Sequence, residues 1–278
     1  STDLIGREAV RSIEHSPAEV PFFLYVPFNA PHGPLAAKDD DLKKYPGREG
    51  RRRTYAAAVD SMDQAIGEIL DALDSKGFAE NTLVLFASDN GADRFGNSLP
   101  LRKGKSTVYE GGIRVPAVIR WPAGISGQRS VQARMGYIDV YPTLKRIVGV
   151  DTPDPNPLDG RDLLDVIRGS AEAPSRDWFS FFARGEKEQI AVASGRWKLV
   201  VRGPSVLMPD AMDTAKIELF DIQEDPSEKR NLAERRPETV RNLFARLRGF
   251  RRLQIEGVGD FEEGRSSFEP PEDWSIPD

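Results

Sequence analysis

Apolar positions along this chain fall into blocks of two different periods. Leu4, Ile5, Ala9, Val10 and Ile13 recur at helical spacing and predict an amphipathic helix over Thr2–His15, with Thr2 as its cap. Tyr55, Val59, Met62, Ile66, Ile69, Leu70 and Leu73 repeat in the same way and predict a longer helix stopped near Gly77. Before and after it, Pro21–Val26 and Thr82–Ala87 are continuous apolar runs closed by turn residues, which read as buried parallel strands. Strand, helix, strand in that order predicts a right-handed crossover. Val115–Trp121 reads as a further strand. Tyr137–Val148 reads as a helix with Pro142 in its first turn and Gly149 past its end, and a short helix is expected over Arg161–Ile167.

From about Ala171 the texture changes. Gln189–Ser194 and Trp197–Arg202 flank Gly195-Arg196, a β-hairpin signal, and Ile217–Asp221 is another strand. Val240, Leu243, Phe244 and Leu247 place one apolar stripe on a final helix. From Gly257 onward the sequence is acidic and Pro-containing, as in a strap or a loose tail. Two units are expected: an α/β part over residues 1–170 and a small antiparallel α+β part over residues 171–278.

Composition narrows the functional classes. The 278 residues are 39% hydrophobic and 30% charged, enough for a core and a solvated surface. A net charge of −5 argues against nucleic acid as a partner. No apolar run approaches the roughly 18–20 residues that span a bilayer. With no cysteine, disulfides and thiolate metal sites are excluded.

The chemistry concentrates between Thr82 and Gly112. The predicted strand ends in Ser88-Asp89-Asn90-Gly91, and polar groups past the carboxyl end of such a strand lie where open α/β sheets bind ligands. Asp89 and Asn90 offer hard oxygen donors suited to Ca²⁺ or Mg²⁺. The same tripeptide is also an ordinary turn, since Asn and Asp tolerate left-handed geometry. Farther on, Lys103 and Lys105 sit among glycines, where a cation could meet an anion. His32 lies in Asn29-Ala-Pro-His-Gly-Pro34, just after the first predicted strand. It would share a sheet edge with Asp89 if the two strands run parallel. His15, at the end of the first helix, reads as surface.

The segment Asp89-Asn90-Gly91 followed by Pro100-Leu-Arg, Gly104-Lys105 and Tyr109-Glu-Gly-Gly-Ile-Arg-Val-Pro116 resembles the sulfatase signature. The resemblance is to arylsulfatases of the N-acetylgalactosamine-4-sulfatase branch and runs from Thr2 to Ala233. It implies the alkaline-phosphatase-like α/β sandwich of the sulfatases, incomplete at the N-terminus, with the small C-terminal subdomain. It implies a Ca²⁺ site (Mg²⁺ as the alternative) with Asp89 and Asn90 as ligands. Lys105 takes the place of the sulfate-binding lysine, and His32 that of the histidine serving as general acid for the leaving alcohol, a role suited to imidazole. Arg102 and Glu110 are expected to hold the loop, and Lys103 to be surface.

Sulfatases use a formylglycine made from Cys/Ser-x-Pro/Ala-x-Arg, and both this motif and the first metal-binding Asp pair lie upstream of Asp-Asn-Gly. Ser98-Leu-Pro-Leu-Arg102 fits the pattern formally, but its Pro-Leu-Arg already belongs to the later segment, so Ser98 is read as coincidence. The chain is thus expected to be the C-terminal part of a sulfuric ester hydrolase acting on aryl or carbohydrate sulfates, inactive alone. It is expected to need an N-terminal sulfatase segment or to self-associate. Phosphonate or phosphodiester hydrolysis on the same scaffold is the nearest alternative. A non-catalytic module that binds sulfated glycan or serves assembly is the alternative from another class.

Overall fold

The computed structural model describes residues 1–184 and 187–253. The chain opens with helix α1 (Thr2–His15), whose N-cap is Ser1 and not Thr2, without a side-chain capping bond. The charged stretch that follows holds a short helix, α2 (Asp39–Lys43), and the start of the long α3 (Gly50–Ser75). α1 and α3 meet through small residues. A Cβ on Gly6 would lie 2.8 Å from the Ala65 Cβ, so the two backbones come close only because Gly6 lacks one. Gly6→Ala should therefore destabilise the chain by about 1–3 kcal/mol through overpacking. A thermal melt checks this, and a second substitution, Ala65→Gly, should restore most of the loss. Ile13, Ala72, Leu73 and Ala79 complete this core. The large apolar residues Tyr55, Val59 and Met62 are only half buried and face a cavity instead.

Two strand expectations fail. Pro21–Val26 forms no strand, and Phe22, Phe23, Leu24 and Tyr25 are exposed, Phe23 by 79%. The second run forms β1 (Val84–Ala87), which pairs with β2 (Ala117–Arg120) antiparallel, not parallel, with Leu85 opposite Ile119. An apolar run states that a segment suits a buried sheet position, not which strand lies beside it. No parallel pair exists among the described residues. Between these strands lies the single turn α4 (Glu110–Ile113). A 3₁₀ turn, Tyr137–Asp139, leads into α5 (Val140–Ile147), and α6 spans Leu164–Arg168, shorter at its start than the sequence suggests.

The remainder is one antiparallel sheet in sequential order: β3 (Trp178–Arg184), β4 (Lys187–Ser194), β5 (Trp197–Gly203) and β6 (Lys216–Asp221), with α7 (Ala211–Thr214) before the last strand. The β4–β5 hairpin turns at Gly195, whose φ of 54° suits glycine. The sheet is buried on both faces. Ile190, Val192, Leu199, Val201 and Leu219 pack against Val240, Leu243, Phe244 and Leu247 of α8 (Pro237–Arg251). The alternate residues Ala191, Ala193, Val200 and Phe220 pack against Val108 and Tyr109 of the loop before α4. The period-two alternation of a strand thus ties α8 to one side and the glycine-rich loop to the other. The acidic tail expected from Gly257 lies outside the described residues. No helix among the described residues is long and apolar enough to cross a membrane.

Candidate active site

β1 delivers Ser88-Asp89-Asn90-Gly91 directly at its carboxyl end. The turn is closed locally. The Ser88 hydroxyl donates to the Asn90 carbonyl at 2.9 Å, and the Asn90 side-chain amide donates to Asp89 Oδ2 at 2.5 Å. Tyr137 adds a bond from its hydroxyl to the Ser88 carbonyl at 2.6 Å. Burial and the nearby Asp89 charge push the Tyr137 hydroxyl pKa up, so it remains a donor there.

The glycine-rich loop closes over this turn through backbone contacts. Gly91 N–H donates to the Gly112 carbonyl, and Lys105 N–H to the Ala92 carbonyl, both at 2.9 Å. Lys103 and Ser106 adopt left-handed backbone, with φ of 64° and 65°, on either side of Gly104-Lys105. Such conformations persist only where the surroundings fix them. Buried ionic groups tie down this loop at Arg102 and Glu110. Lys198 of β5 lies 2.7 Å from Glu110 and 2.9 Å from Glu228, and Glu228 accepts the Glu110 amide at 2.8 Å. Arg102 bonds the Glu228 carbonyl at 3.0 Å and the Glu218 carboxylate at 3.1 Å, and the Tyr109 hydroxyl donates to Glu218. Burial opposes ionisation of Glu218, but the Tyr109 bond and Arg102 outweigh it and hold its carboxyl below the usual range. Burial pushes the Glu228 carboxyl up despite Lys198.

His32, Asp89, Asn90 and Lys105 all line one cavity of about 1310 Å³, with Tyr55, Val59 and Met62 of α3 on its wall. His32 and Asp89 are exposed to it, and Asn90 and Lys105 are half buried. The His32 ring is oriented by a 2.8 Å contact between Nδ1 and the Gly33 carbonyl, which leaves Nε2 toward solvent chemistry. Lys103 is exposed, and His15 is exposed with its ring on the Arg11 carbonyl. The Ser98 hydroxyl donates to the Gly111 carbonyl at 3.0 Å, a structural use of that side chain.

The Asp89–Asn90 pair suits a hard cation by its chemistry. The Asp89 carboxylate forms no ion pair among the described residues, and the Asn90 amide oxygen accepts no hydrogen bond there. The pair is nonetheless only part of a coordination shell, since no group of three acidic or histidine side chains among the described residues could hold a metal. Ca²⁺ takes about six to eight oxygens.

Two cavity cations escape the sequence reading: Arg51, at the start of α3, and Arg94, in the loop after Asn90. Neither has a periodic or motif signal. The buried Lys198 and Glu228 were equally silent, because charged residues ordinarily face water.

Two family models match this chain: Sulfatase over residues 1–150, and N-sulphoglucosamine sulphohydrolase, C-terminal, over residues 103–252. A sulfatase of Formosa agariphila is 37% identical over 190 residues, covering 62% of this chain and 34% of that protein. The N-acetylgalactosamine-6-O-sulfatase of Bacteroides thetaiotaomicron is 29% identical over 260 residues, covering 87% of this chain and 49% of that protein. Among solved structures, Ps i-CgsB in complex with k-i-k-neocarrahexaose superposes with a TM-score of 0.79 at 28% identity, over 90% of this chain and 54% of that one. The PsFucS1 sulfatase from Pseudoalteromonas sp. gives 0.69 at 22% identity, over 90% and 52%, a likeness of fold. The chain spans half or less of the length of these curated relatives. The fold is that of the sulfatases, the alkaline-phosphatase-like α/β architecture. With a family model covering more than half of its residues and the Asp-Asn-Gly and Glu-Gly-Gly loops locked together beside one cavity, the chain belongs to the sulfatase family.

Proposed function

We propose that this chain forms the metal side and the anion side of the active site of a sulfuric ester hydrolase. The observation that carries this reading is the convergence of His32, Asp89, Asn90 and Lys105 on a single cavity from two separate stretches of sequence. Asp89 and Asn90 would hold a Ca²⁺ ion, which when bound polarises a sulfate group. The Lys105 ammonium would bind sulfate oxygens and offset the charge that develops on them or on the leaving oxygen. His32 would hand a proton to the departing alcohol oxygen. Asp89 also separates this reading from a metal-free glycan-binding module. An unpaired carboxylate in the same cavity repels a sulfate group unless a cation stands between them.

The nucleophile, a formylglycine by family resemblance, has no precursor in this reading of the chain. There is no cysteine, and the Ser98 hydroxyl is engaged by Gly111. The chain alone is accordingly proposed to be inactive and to work with a sulfatase segment that carries the formylglycine. The exposed apolar Phe22–Tyr25 stretch and Val118 of β2 are surface that such a segment or a second copy would cover.

The test is turnover of an aryl sulfate and an aryl phosphonate by the chain alone and combined with an N-terminal sulfatase segment bearing formylglycine. The combination should hydrolyse the sulfate in preference, and the chain alone neither ester. Lys105→Ala should lower turnover by about 10²-fold or more, the scale of losing one preorganised charge-stabilising group. Preference for the phosphonate would reassign the reaction, and unimpaired turnover by Lys105→Ala would remove that residue from it.

A further inference from the structure

Arg51, in the first turn of α3, and Arg94 converge on the ring of Phe95, with guanidinium carbons 5.8 Å and 4.8 Å from its centroid. All three line the cavity that holds His32, Asp89 and Lys105. Both arginines are exposed, and among the described residues neither forms an ion pair. Arg114, which also lines the cavity, does so, with Glu110 at 4.0 Å. The neighbouring acid Asp93 is turned to the backbone, its Oδ1 accepting the Phe95 amide at 2.7 Å. Two guanidinium groups are thus held near one ring without an ion-pair partner of their own among the described residues.

We propose that Arg51 and Arg94 form a second anion subsite of this cavity, which takes a sulfate or carboxylate of the substrate other than the ester being cleaved. The inference rests on the cavity being a sulfate-ester site, and it narrows the substrate to a multiply anionic oligosaccharide. A simple aryl or steryl monosulfate has one anionic group, which Lys105 takes, and would leave the arginine pair without a partner. Planar guanidinium forks match the oxygens of sulfate and carboxylate.

Isothermal titration of the full chain with Ca²⁺ present, using a disulfated disaccharide and its monosulfated counterpart, tests this. The disulfated probe should bind about tenfold tighter or more, the scale of added charge-assisted hydrogen bonds. The double variant Arg51→Gln/Arg94→Gln should bring the affinity ratio of the two probes close to one. Both side chains are exposed, so the variant keeps its fold, and Arg51→Lys/Arg94→Lys should retain part of the ratio. Lys105→Ala should weaken both probes alike. An unchanged ratio in the Gln variant overturns the subsite, as does failure of the disulfated probe to bind. If the ratio collapses in the Gln variant while Lys105→Ala changes neither affinity, the arginine subsite stands and the sulfate-ester reading of the cavity falls. A single-stranded oligonucleotide that competes as well as the disulfated disaccharide would overturn the carbohydrate class.

Discussion

Lys198→Met should lower the unfolding free energy by about 3–5 kcal/mol, the cost of leaving buried charge without its partner. Lys198 is fully buried and faces two carboxylates, Glu110 at 2.7 Å and Glu228 at 2.9 Å. Methionine fills a similar volume, so the loss is electrostatic and not a cavity effect. Among the described residues, Glu228 would then face low dielectric with only the Glu110 amide as donor, and Glu110 with only the distant Arg114 at 4.0 Å; Glu228 already tends toward its protonated form through burial. Neutralising them in the same molecule, with Glu110→Gln and Glu228→Gln, should recover much of the loss, because removing all members of a buried ionic set is often close to neutral. Urea unfolding followed by tryptophan fluorescence measures both, since Trp178 and Trp197 lie in the same sheet. A Lys198→Met variant within 1 kcal/mol of the parent would show that the ion pairs contribute little net stability.

Gly91→Ala should be the most damaging single methyl in the chain's active-site region. The added Cβ would sit 1.9 Å from the Gly111 carbonyl oxygen and 2.9 Å from the Gly112 Cα, both backbone atoms with nowhere to move. The hydrogen bond from Gly91 N–H to the Gly112 carbonyl must break, and with it the alignment of Asp89–Asn90 against Lys105. We expect a stability loss of about 3 kcal/mol, the upper end of overpacking costs, and, on the proposed reading of the Asp89 corner, loss of its Ca²⁺ binding. Gly67→Ala is the matched control. Gly67 lies inside α3 with nothing within 4 Å of its absent Cβ, so alanine there should stabilise by about 0.5–1 kcal/mol. Opposite signs for the same chemical change, read in one pair of melts with Ca²⁺ titration, separate backbone crowding from helix propensity.

The contrast between these two glycines marks what the sequence makes legible. α1, α3, the β4–β5 hairpin, β6 and α8 follow from local period and turn chemistry, and their residues sit close to where the pattern puts them. Pro21–Val26 and the parallel pairing of Thr82–Ala87 do not follow. A strand is completed by neighbours distant in sequence, and β1 finds β2 antiparallel instead. Motif spacing places the four candidate site residues on two loops, and these loops border one cavity. The ionic lock behind the loops was not. Arg102 reaches Glu218 and Lys198 reaches Glu110 across long stretches of chain, and a single sequence carries no sign of such pairs.

That lock changes what a cut in the chain would do. Residues 171–175, between α6 and β3, are exposed and offer a natural site for a protease. The pieces on either side stay joined by Lys198 with Glu110, Arg102 with Glu218, Arg176 with Asp139, and Tyr109 seated beside Phe220. A nicked molecule therefore migrates as two bands in denaturing gels and as one particle in native chromatography. The covalent connection through this linker is dispensable to holding the Lys105 loop in place once the chain has folded.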